Sequence, residues 1–392
     1  MLRCRPALVS LPVRLIARPC STASKYAGAR KFQPMAKSKK QKAANAIPES
    51  VLSLPAHASA LELAADQEPA PVIDTHTHLL STYGWYKSKY KDDAACQTIW
   101  DFVRTMCMPP ASDVEADAAK QRTRRHKVTS MVDVWCEPAS WLNWREIADS
   151  AVEGSPQKAD WGGCEYWFAM GVHPHEAKHY DDKVEGQILE AMKHPRSVSW
   201  GEIGLDYHYS FSEHDVQQRV FRRQLQLAVS LEKPITIHTR EAEEDTERIM
   251  KEVIPRDWKI HIHCFTDSPD FAERLLDHFP NLYIGITGVV TYTSNLNTSE
   301  ILRRLAKSAT SSETGKPLRI LLETDAPYMT PSNIYPSLPE LGAKNPRLPL
   351  CHPGMIPWTA EFVSNVVKDF QSLSTDAVLR ASAANAAHMY SV

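Results

Sequence analysis

Short runs of apolar, β-branched residues alternate along this chain with longer polar or amphipathic stretches from residue 71 onward. The runs are PVIDTHTHL (71–79), VTSMVDVW (128–135), YWFAMGVHP (166–174), VSWGEIGLD (198–206), PITIHTR (234–240), KIHIHCF (259–265), LYIGITGVV (282–290) and RILLETDAP (319–327). Each has the length of a strand and is apolar on both faces, as a sheet covered on both sides requires. Between them lie helix-period segments such as 216–232 and 270–279. Eight strand–helix alternations predict an α/β fold, a (β/α)8 TIM barrel of parallel strands. The gap 80–127 predicts an insertion over the barrel mouth with a helix near 113–126, and the Pro-rich stretch 328–356 predicts another. Final helices are expected over about 358–371 and 375–390.

The N-terminal segment follows different rules. Residues 1–50 are basic, with Arg3, Arg5, Arg14 and Arg18 set among apolar residues and no acid before Glu49. This is the composition of a mitochondrial transit peptide, and initiation at Met35 would instead leave a cytoplasmic or nuclear form. Residues 51–70 read as a linker and 71–392 as the barrel domain. The net charge of −2 hides an asymmetry: residues 1–48 hold eleven of the 45 Lys and Arg, so the remainder has 34 bases against 47 acids. That acidic body gives no support for sequence-independent DNA binding, although it could act on phosphates if cations sit in the cleft. The eight Cys form no CxxC pair, which argues against a disulfide scaffold and for a reducing compartment. No apolar run is long enough for a membrane span.

The chemistry is concentrated at the ends of the apolar runs. His76 and His78 close the first and point to the same side of a strand. Glu202 lies in the fourth, His238 in the fifth, His263 in the sixth and Asp325 at the end of the eighth. Barrel strands converge on one C-terminal mouth, so these six residues are expected to meet there. Imidazole and carboxylate without thiolate suit divalent zinc, manganese or magnesium. The expected arrangement holds two cations, with His76, His78 and Asp325 on one, His238 and His263 on the other, and Glu202 bridging. Such a pair activates water for phosphoryl transfer, and Asp325 is placed to take its proton. Cys264, beside His263, is expected to point away by strand alternation. Trp135, Trp141, Trp144 and Trp161 are expected to pack helices on the barrel rather than stack bases.

Six segments in order, IDTHTH (73–78), GVHPHEA (171–177), GEIGLDY (201–207), IHTRE (237–241), HCFTDS (263–268) and ETDAPY (323–328), resemble the TatD-related deoxyribonucleases of the amidohydrolase-like superfamily. The C-terminal ANAAHMY (384–390) is similar to that family's closing helix. The resemblance implies a metal-dependent deoxyribonuclease, exonuclease or endonuclease, with DNA as substrate. It implies that the same six residues are the metal ligands, that His173 and Arg240 contact phosphate, and that Asp206 lies at the substrate site. The region KNPRLPLCHPGMIPWTAEF (344–362) departs from the family's Arg-Asn-Glu-Pro stretch, with Asn345 and Pro346 adjacent and no Glu following. It resembles a fungal branch described as interacting with an anaphase-promoting-complex subunit. The insertions 80–127 and 328–356 are therefore candidate protein-binding surfaces. Two other readings stay open: a hydrolase of a different ester or amide, and a barrel scaffold that binds a protein partner.

Overall fold

The computed structural model describes residues 47–91, 94–107, 124–311, 318–342 and 346–392. The basic leader up to residue 46, most of the expected helix at 113–126 and Asn345 lie outside the described residues.

Eight parallel strands pair in sequence order, β1 (Val72–Thr77), β2 (Val128–Trp135), β3 (Glu165–Met170), β4 (Ser197–Asp206), β5 (Ile235–Arg240), β6 (Ile260–Ile262), β7 (Leu282–Ile286) and β8 (Ile320–Leu322). Main-chain bonds from His78 N to the Ala326 carbonyl and from Asp325 N to the His76 carbonyl tie the end of β8 to β1. The result is the (β/α)8 barrel that the alternation of patterns predicts. Strands β4, β6, β7 and β8 are buried along their whole lengths, as strands covered on both faces must be. Helices such as α5 (His214–Ser230) and α7 (Pro269–His278) lay an apolar stripe on the barrel. For numbering, α1 is Leu79–Tyr90, α2 Ile99–Cys107, α3 Trp144–Ser150, α4 Asp182–Ala191, α6 Glu243–Val253, α8 Asn297–Ser311, α9 Ile356–Val367 and α10 Thr375–Tyr390.

Three segments differ from expectation. Residues 51–70, expected as a linker, are packed on the barrel: Val51, Leu52, Ala60 and Ala70 are buried, and the Leu52 carbonyl accepts from His352 Nε2 at 3.0 Å. A linker reading from local composition misses anchors this short. The described part of the 80–127 insertion is two helices, α1 and α2, whose Tyr83, Tyr86 and Phe102 rings pack together in the core. The Pro-rich 328–356 stretch is built of 3-10 turns with Ile334, Leu338, Leu350 and Cys351 buried. Among the described residues no helix is long and apolar enough to cross a membrane.

Candidate metal centre

Glu202 sits on β4, buried, at the middle of a ring of imidazoles. Its Oε1 lies 2.9 Å from His238 Nδ1, 3.5 Å from His173 Nε2 and 3.6 Å from His263 Nε2; its Oε2 lies 3.5 Å from His76 Nε2. His78 Nε2 stands 3.3 Å from Asp325 Oδ1. The barrel thus gathers all six residues singled out in the sequence. The reason is topological: each stands on a parallel strand or just beyond its end, so the barrel brings them together at one mouth. Two of the strands are shorter than the apolar runs suggested. β6 stops at Ile262 and β8 at Leu322, which puts His263 and Asp325 in the turns just beyond.

That shortening corrects the reading of Cys264. The residue is not on a strand but in a left-handed turn at φ 45°, so alternation does not govern it. Its Sγ is 3.4 Å from Thr287 Oγ1, and it offers a ligand atom within 4.8 Å of those of His263 and Asp325. Burial holds its thiol well above the usual range, reinforced by Asp325 and Glu323, so it is a neutral thiol beside the centre.

The electrostatics follow from burial and charge. Burial opposes charge on His78, yet Asp325 outweighs it and raises the imidazole to about 9. Burial likewise opposes charge on His238, and Asp206 with Glu202 raises it to about 10. Burial drives His76 down to about 4, helped by the neighbouring His263. Burial also disfavours the Glu202 carboxylate, but His173, His263 and the other imidazoles hold it ionised, well below the usual range.

The donor set fits divalent cations. Both ring nitrogens of His76 are buried without a hydrogen-bond partner, a cost that a ligand would remove. His78 places Nδ1 3.1 Å from the Val134 carbonyl and His263 places Nδ1 3.2 Å from Glu323 Oε1. Each of those nitrogens donates outward, which fixes the tautomer and leaves Nε2 facing the centre, as metal-binding histidines are held. His76, His78 and Glu202 offer ligand atoms within 4.8 Å of one another, as do His173, Glu202 and His238.

The positions marked for substrate divide. His173 Nδ1 accepts the His175 N–H at 3.1 Å, so in its neutral form the ring carries its proton on Nε2 and presents a donor to the mouth. Burial lowers this imidazole well below its usual range, keeping it neutral. Asp206, buried, accepts from His175 Nε2 at 2.8 Å and from His238 Nε2 at 3.3 Å, and orients both rings. Arg240 lies over the Tyr209 ring, its guanidinium carbon 5.2 Å from the centroid.

Sequence reading passed over two buried carboxylates. Glu323 on the β8 turn accepts from Cys264 N at 2.6 Å and lies 3.1 Å from His261 Nε2, besides holding His263. Asp74 accepts from Thr324 N at 3.0 Å, Thr324 Oγ1 at 2.5 Å and His76 N at 3.2 Å. Both lie inside segments already marked, IDTHTH and ETDAPY. Acids in apolar strands are costly unless paired, and that was the available signal.

A parallel eight-stranded barrel whose mouth presents imidazoles and carboxylates around one buried glutamate is the architecture of the metal-dependent hydrolases. Residues 73–391 match the family described as TatD related DNase, and the chain belongs to that family. It is 42% identical over 227 residues to the 3′-5′ RNA nuclease TATDN2 of Homo sapiens, covering 58% of this chain but only 27% of that protein. It is 32% identical over 222 residues to the 3′-5′ ssDNA/RNA exonuclease TatD of Musicola paradisiaca, covering 57% of this chain and 76% of that one. Among solved structures, an uncharacterized amidohydrolase from Saccharomyces cerevisiae shares the fold, with TM-score 0.59 and 17% identity over 82% of this chain and all of that one. A hydrolase TatD family protein from Entamoeba histolytica does the same, with TM-score 0.59 and 17% identity over 83% and 99% of the two chains.

Proposed function

We propose that this chain is a metal-dependent nuclease that removes nucleotides from the 3′ end of single-stranded DNA or RNA. One observation carries the reading: the two oxygens of Glu202 face different imidazoles, Oε2 toward His76 and Oε1 toward His238 and His263. A carboxylate so placed suits two cations, His76, His78 and Asp325 holding one and His238 and His263 the other. Two bound cations would activate water and steady both the attacking and leaving oxygens of a phosphodiester displacement. The chain's own groups do the rest. Asp325 receives the proton of the attacking water. His173 donates from Nε2 to a phosphoryl oxygen, and Arg240 pairs with a neighbouring phosphate. Asp206 and Glu323 hold His238 and His263 in register. The names of the relatives, RNA nuclease in one case and ssDNA/RNA exonuclease in another, support a single-stranded substrate over duplex DNA.

The test uses the full chain stripped of metal and resupplied with magnesium, manganese or zinc. Single-stranded DNA and RNA labelled at either end are the substrates. Metal-dependent shortening from the 3′ end, lost in Glu202→Gln and Asp325→Asn, is the expected result. Absence of cleavage with every cation would overturn the proposal.

A further inference from the structure

Two pairs of aromatic side chains stand exposed on the rim of the barrel mouth. Tyr209 and Phe211, in the loop after β4, are 41% and 52% exposed; their ring centroids lie 5.4 Å apart and their planes 26° from parallel. Trp85 on α1 and Tyr328, three residues beyond Asp325, are 46% and 47% exposed and meet edge to face at 5.3 Å. Exposed rings in contact are unusual on a surface and mark binding sites. By contrast Trp135, Trp141, Trp144 and Trp161 are all buried. In a closed barrel of strand order β1 to β8, the end of β4 lies across the mouth from the ends of β8 and β1. The two pairs therefore flank the metal centre on opposite sides.

The first pair is continuous with that centre. Ring neighbours run outward from His238 to His173 at 4.6 Å, from His173 to His175 at 4.3 Å, and from His175 to Phe211 at 4.9 Å. Arg240 lies against Tyr209. Among the described residues Arg240 is in no ion pair; Glu241, its neighbour in sequence, is 2.6 Å from His208 instead. A cation without a carboxylate partner beside stacked, solvent-facing rings matches a polyanion whose repeating unit is a flat ring and a phosphate.

We propose that Tyr209 with Phe211, and Trp85 with Tyr328, are base-stacking stations for an unpaired nucleic-acid strand, one on each side of the scissile phosphate, with Arg240 holding the phosphate beside the first station. The proposal rests on the nuclease reading and supplies its selectivity. Bases inside a duplex are covered by their neighbours and cannot reach the rings. Every unpaired base has a π face, so the stations select single strands without selecting sequence.

Binding and cleavage separate this proposal from the one it rests on. Fluorescence anisotropy of the full chain in magnesium is measured with a phosphorothioate-linked oligothymidylate, which resists hydrolysis, and with an abasic strand of equal length and linkage. The base-bearing strand should bind about a hundredfold tighter, about tenfold for each station. Phe211→Ala and Trp85→Ala should each weaken it about tenfold and shift the abasic strand less than about twofold. Phe211→Trp should restore binding. Equal affinity for the two strands, equal losses on both in the variants, or no binding of either strand would overturn the stations. Cleavage of an unmodified strand is read in parallel. Cleavage that ignores the bases would keep the nuclease and remove the stations, whereas base-dependent binding without cleavage would keep the stations and remove the nuclease.

Discussion

The imidazole rings of His76 and His263 lie face to face, centroids 3.6 Å apart and planes 16° from parallel. Two buried imidazoles this close cannot both carry protons at low cost. The structure assigns the charge unequally: burial and His263 lower His76, while Glu323 and Glu202 raise His263 against its burial. Under the proposed ligand assignment, protons stand where cations would bind, and metal uptake should release them. We expect Glu202→Gln to remove the shared carboxylate, to abolish stoichiometric metal uptake and to cut hydrolysis by at least about a hundredfold. Elemental analysis after dialysis against a metal buffer reads the first effect separately from the second. Full metal content in the variant would show that Glu202 is not a ligand.

Glu323 lies against His263, His261 and the Cys264 amide, and we place it outside the proposed ligand set. Its loss should therefore change affinity rather than remove the site. Glu323→Gln should weaken metal binding about 10- to 100-fold, read by competition with a chelating dye, and raising the metal concentration should restore activity. Activity that excess metal cannot restore would mean that Glu323 takes part more directly.

Asp74 ties β1 to the segment beyond β8. It accepts two bonds from Thr324 beyond β8 and one from the His76 amide on β1. Burial raises its carboxyl to about 7, against those donors. Asp74→Ala leaves buried N–H and O–H groups unmatched and should cost on the order of 3 kcal/mol, read by urea unfolding. Unchanged stability would show that the β1–β8 seam closes without it.

The fold and the six ligand candidates were legible because both depend on periodic or repeated signals. Strand-length apolar runs predict the barrel, and polar residues at their ends predict the mouth. What stayed hidden depends on a single contact made over a long separation. Leu52 is anchored by His352, 300 residues away, and the local pattern of 51–70 holds no trace of it. Cys264 was misread because β6 ends two residues earlier, and the positive φ that turns its thiol toward Thr287 leaves no mark in composition. Asp74 and Glu323 sit within quoted motifs, yet their work is to hold other side chains, so they carry no chemistry that a ligand pattern would reveal.

Gly204 is the one glycine on β4 whose dihedral demands it, with φ 146°. A Cβ built there would stand 1.9 Å from the His238 carbonyl oxygen. Backbone cannot yield as a flexible side chain can, so Gly204→Ala must push β5 away from β4 and carry His238 off Glu202. Little soluble protein is expected, and any that folds should bind less metal. Normal yield with full metal content would show that the two strands tolerate the displacement.

Acid should loosen the N-terminal anchor. His352 donates from Nε2 to the Leu52 carbonyl and accepts the Gly354 N–H on Nδ1 at 3.2 Å, so only the neutral ring satisfies both. His57 accepts the Ser59 N–H on Nδ1 and packs edge to face on Trp358. Burial lowers both imidazoles to about 4. In the unfolded chain each would titrate near 6.5. Between 6.5 and 4 the unfolded state binds protons that the folded state refuses, so stability falls as pH falls through that window, by on the order of 3 kcal/mol per ring. Below about 4 the two contributions stop changing. Carboxylates also lose stability in acid, so the informative comparison is between proteins rather than between pH values. His352→Gln keeps a side-chain donor for Leu52 but does not titrate. Its unfolding free energy, measured in urea at pH 7 and at pH 5, should depend less steeply on pH than that of the native chain. Parallel pH profiles for the two would show that His352 does not set the acid limit of the anchor.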